Sequence, residues 1–138
     1  MSWKDYERRQ RLMNGVLDDV AASGDWSLPR QRQPEISETF GDEAGFALAL
    51  YPRWFSALSA RLDAVLEELP ADLAGAAGRE ARRLARERPA MIAVLSAYAD
   101  HPALEAARVR EQRYLDWAPG AQLPALAARL DEVLPVAA

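Results

Sequence analysis

The chain has no cysteine, so neither a disulfide framework nor a thiolate metal site can form within it. Its single histidine, His101, cannot supply the paired Glu-x-x-His ligands of a di-metal helical bundle. Asp63 and Glu67, one helical turn apart, read as a solvated acidic face, so no metal site and no cofactor are expected. Gly75-Ala-Ala-Gly78 follows no strand pattern and lacks the lysine of a phosphate loop, which leaves nucleotide binding unsupported. Isoleucine, valine and threonine are scarce, and β-branched or aromatic residues nowhere alternate, so no β-strand is expected. No window approaches the roughly 18 uninterrupted apolar residues of a membrane span. The N-terminus mixes Asp5 and Glu7 with Lys4, Arg8 and Arg9 and has no apolar core, unlike a signal peptide. A cytoplasmic location is the resulting expectation.

What is present favours helix. Half of the 138 residues are apolar, 28% are charged, and leucine, alanine, arginine and glutamate dominate. The net charge of -4 argues against a dedicated nucleic-acid binder. Charge is unevenly spread: residues 35–78 carry eight acids and two arginines, residues 79–113 eight arginines and five acids. Two helical regions of opposite sign can neutralise each other across a bundle.

Ser2 is placed to cap a first helix over about Trp3–Ala22, with Leu12, Met13, Val16, Leu17 and Val20 on one face and Ser23-Gly24 ending it. Residues 25–41, with Pro29 and Pro34, read as a largely irregular connection containing a short helical turn near Ile36–Phe40. Asp42 caps a long helix to Leu69, whose stripe Trp54, Phe55, Leu58, Leu62, Val65, Leu66 and Leu69 repeats at helical spacing. Pro52 lies inside that helix, where it removes one backbone hydrogen bond and predicts a kink. Further helices are expected over about Ala71–Arg88, from Pro89 through Tyr98, from Pro102 to about Trp117, and over a last stretch carrying Leu123, Leu126, Leu130, Val133 and Leu134. The pattern predicts one all-α domain over residues 1–138, a compact bundle of five or six helices with a Pro-kinked central helix and no β-sheet.

No nucleophile–base constellation stands out, and no catalytic residue is assigned. Arg79, Arg82, Arg83 and Arg86 crowd one helical flank, so acidic partners are expected, with Asp63, Glu67 and Glu68 the nearest in sequence. Trp3 and Trp26 fall outside the strong apolar stripes and are candidate partner-interface residues. They motivate the first functional expectation: a non-catalytic helical interaction or regulatory protein, with a protein partner or a homodimer. The alternative is a small-molecule-binding domain with a pocket at Pro52. Its candidate lining is Tyr51, Trp54, Phe55 and Tyr98, with Arg53 or His101 as the polar contact.

Overall fold

Ser2 opens the first helix through a reciprocal cap: its hydroxyl accepts from the Asp5 N–H at 3.1 Å, and the Asp5 carboxylate accepts from the Ser2 N–H. The computed structural model describes residues 1–135. Helix α1 (Trp3–Ser23) buries Leu12, Met13, Val16 and Val20 and stops at Gly24, whose φ of 81° suits a residue without Cβ.

The following connection is more ordered than its composition suggests. Arg30–Arg32 form a 3-10 turn, and α2 spans Gln33–Phe40 with Pro34 in its first turn, where a missing N–H is harmless. The irregular stretch is therefore shorter than residues 25–41. Arg32 donates to Asp19 at 2.7 Å, tying this turn to α1. Trp26, at φ 61°, packs against the core as a partly buried residue.

Helix α3 (Glu43–Glu68) is capped by Asp42, whose carboxylate accepts from the Gly45 N–H at 2.7 Å. Its hydrogen-bonded course continues through Pro52, which sits on an exposed side. Proline offers no N–H to the Leu48 carbonyl. Leu48 is also exposed, so the lost bond falls on the wet flank. Phe46, Leu50, Trp54, Leu58 and Leu62 are fully buried. The stripe ends before its expected limit, because Leu66 is 37% and Leu69 80% exposed. Leu69 closes the helix in the left-handed region at φ 46°.

Helix α4 (Leu73–Glu87) turns Ala77, Gly78, Ala81, Leu84 and Ala85 inward. A Cβ on Gly78 would lie 3.8 Å from the Gly120 carbonyl, so small residues let the Pro119–Ala121 turn lie directly on α4. Helix α5 (Pro89–Ala97) is buried continuously from Ala90 to Leu95 and packs against α1, α3, α4 and the C-terminal helices. Helix α6 (Glu105–Tyr114) follows a 3-10 turn at Pro102–Leu104. The final apolar stripe divides at Ala128–Arg129 into α7 (Leu123–Ala127) and α8 (Leu130–Val133).

The fold is all-helical, with no strand among the described residues. Among the described residues five helices have nine residues or more, and three are shorter. No helix among them is long and apolar enough to cross a membrane.

Candidate functional site

Helix α6 and its two cap residues present Leu104, Ala107, Glu111 and Leu115 to the interior at three- and four-residue spacing. Glu111 is thus an acid in an apolar register, and it is the one charged residue that is buried among those described, at 1% exposure. Its carboxylate accepts from two neutral donors: the Tyr51 hydroxyl from α3, and the Leu123 N–H at the start of α7. One side chain therefore pins three helices together. Burial pushes the Glu111 carboxyl above its ordinary range, against the lowering effect of both hydrogen bonds. Burial likewise drives the Tyr51 phenol strongly upward, with the Glu111 charge adding to it, so Tyr51 remains a donor.

No arginine lies within ion-pair distance of this carboxylate among the described residues. Arg108, one turn before it, instead reaches Asp100 at 3.7 Å. Arg110 is exposed.

Beside the Tyr51–Glu111 pair lies a cleft of about 230 Å³, lined by Tyr51, Pro52 and Phe55 from α3 and by Ala107, Arg110 and Glu111 from α6. The Phe55 ring is held edge-on by Tyr114, with centroids 5.2 Å apart. The lining combines two aromatic residues, a proline and an alanine with the buried Glu111 and the exposed Arg110. Such a shape suits an apolar body carrying a polar group.

The residues expected around Pro52 divide into two sets. Tyr51 and Phe55 meet at the cleft. Trp54 does not: it is fully buried in the core, and its indole N–H has no acceptor among the described residues. Arg53 points to α1, donating to Asn14 at 2.7 Å and to Gln10. Tyr98 donates to Glu43, at the start of α3. His101 caps the Pro102–Leu104 turn, its Nδ1 accepting from the Ala103 N–H at 3.0 Å, and stands edge-on to Tyr98. The helical spacing of Leu104, Ala107 and Leu115 in and beside α6 was the signal that could have located Glu111, since an acid interrupts it.

The two candidate interface tryptophans also part company. Trp26 packs inward, whereas Trp3 is 71% exposed and stacks on Tyr6 with centroids 5.5 Å apart. Of Arg79, Arg82, Arg83 and Arg86, Arg83 alone forms an ion pair among the described residues, and not with the acids expected. Arg61 of α3 bridges Glu80, at 2.9 Å, and Glu87 of α4, while Arg83 pairs with Glu80 at 3.3 Å. Asp63, Glu67 and Glu68 take no part in these ion pairs. No protein-family model, curated protein or solved structure matches this chain.

Proposed function

We propose that this protein is a small-molecule-binding helical domain whose site is the cleft between α3 and α6. The observation that carries the reading is the cleft itself: about 230 Å³ of concave space between Tyr51, Pro52, Phe55 and Ala107, with the buried acid Glu111 among its lining residues. An apolar cavity of about 150 Å³ already accommodates benzene, so a single-ring ligand fits this space. Binding rather than catalysis is favoured because the lone histidine is committed to a turn and the hydrogen-bond partners of Glu111 among the described residues are a phenol and a backbone amide. The cysteine-free composition suits a cytoplasmic setting.

The test is a panel of single-ring fragments, neutral and charged, followed by ligand-observed and aromatic-region NMR on the full chain. Binding should shift the Tyr51 and Phe55 ring signals. It should disappear in Ala107→Leu, whose larger side chain occupies the cleft. A panel without effect on those rings would end this reading.

A second reading, a protein partner or homodimer, is favoured by one observation. Met1, Trp3 and Tyr6 form an exposed apolar patch at the start of α1, and tryptophan is enriched at interface hot spots. Light scattering over a concentration series should then show a dimer that Trp3→Ala dissociates. A monomer throughout would exclude self-association.

A further inference from the structure

We infer that the α3–α6 cleft takes a compact organic monoamine in its protonated form, with the ammonium group on Glu111 and the apolar body between Tyr51, Pro52 and Phe55. The inference rests on the cleft being a ligand site and adds the chemical class.

An ionised carboxylate removed from water is costly unless a cation compensates it. At Glu111 no ion pair forms among the described residues: its donors are a phenol and a backbone amide, and the charges of Arg108 and Arg110 are felt only at the Tyr51 hydroxyl. Two nearby arginines are placed otherwise, with Arg108 directed to Asp100 and Arg110 exposed to solvent. A carboxylate has about four acceptor positions, so two accepted bonds leave capacity on a group that lines the cleft. A ligand ammonium would supply the missing charge through a charge-assisted hydrogen bond. The Tyr51 and Phe55 rings line the same cleft and supply its apolar surface.

The surroundings narrow the class further. A divalent metal ion is disfavoured, because no group of three or more candidate ligating side chains exists among the described residues. An anion would meet the carboxylate. A diamine would bring a second positive charge to the mouth, where Arg110 stands. The volume is ample for a single aromatic ring.

The experiment compares benzylamine, benzyl alcohol and benzoate by titration calorimetry and NMR on the full chain. These probes share a ring and differ in charge. Benzylamine should bind about tenfold or more tightly than benzyl alcohol, and benzoate least. In Glu111→Gln the preference for amine over alcohol should collapse toward unity. Lowering the pH through the range in which Glu111 takes up a proton should erase the preference in the wild type. That wild-type profile decides the matter even where the variant does not fold. Equal affinities for amine and alcohol, or a preference that survives Glu111→Gln or the drop in pH, would overturn the amine assignment and leave the cleft reading intact. Absence of binding by all three probes would overturn both.

Discussion

The Tyr51 hydroxyl donates to the Glu111 carboxylate across 60 residues of sequence, joining the longest helix to one whose other face is wet. Removing one partner should therefore cost more than removing both. Tyr51→Phe leaves a buried carboxylate with one donor fewer, a loss of about 1–3 kcal/mol in urea unfolding. The Tyr51→Phe, Glu111→Gln double variant should recover part of it, giving a measurable coupling energy. Strict additivity of the two single changes would show that the pair is not coupled.

Glu111 also sets a pH dependence. Its proton affinity in the folded chain lies above the ordinary value of 4.5, raised chiefly by burial. Between those two values the native state holds more protons than the unfolded state, so stability falls as the pH rises. The contribution is complete below 4.5 and lost above the raised value. Urea midpoints for wild type and Glu111→Gln should thus diverge with rising pH, the wild type losing ground to the variant. A difference independent of pH would contradict the uncompensated burial described above.

Two helical glycines should respond in opposite directions to alanine. At Gly45 the new Cβ would fall on the Phe40 carbonyl oxygen, a backbone atom that cannot swing away. Gly45→Ala should cost about 1–3 kcal/mol through overpacking. At Gly78 the Cβ would meet the Gly120 carbonyl at 3.8 Å and the flexible end of Arg82 at 3.4 Å. Gly78→Ala should therefore stabilise the chain by roughly 0.5–1 kcal/mol, the helix-propensity difference. Thermal melts of the pair provide the comparison.

Leu69 occupies a left-handed backbone position with its side chain 80% exposed. Its apolar surface contributes little there, while the conformation is unfavourable for a residue with a Cβ. Leu69→Gly should raise stability by about 1 kcal/mol, visible as a higher melting temperature. A lower one would mean that Leu69 makes stabilising contacts beyond those its exposure suggests.

Helix starts were the most legible part of the sequence, because a cap is a local device. Ser2 and Asp42 are read correctly from their own neighbourhoods. Pro34 misleads because proline serves both loops and first turns; here it lies in the first turn of α2. The stripe from Leu123 to Val133 keeps helical spacing while the backbone breaks at Ala128–Arg129, so periodicity alone does not reveal the break. The acidic partners of α4 were misassigned for a rotational reason. Arg61, rather than Asp63 or Glu67, occupies the flank of α3 that meets α4. At the candidate site, Pro52 pointed to Tyr51 and Phe55 from α3. The other wall comes from α6, and no sequence pattern states which helix will lie opposite a proline.

The continuous burial of α5 has a consequence for folding order. Its covering is assembled from α1 at one end of the chain and from α7 and α8 near the other, with α3 and α4 between. No contiguous fragment carries the whole sheath, so this helix gains full shelter only after distant segments have arrived. Its amide hydrogens should consequently be among the slowest to exchange with deuterated solvent, opening only when the entire molecule does.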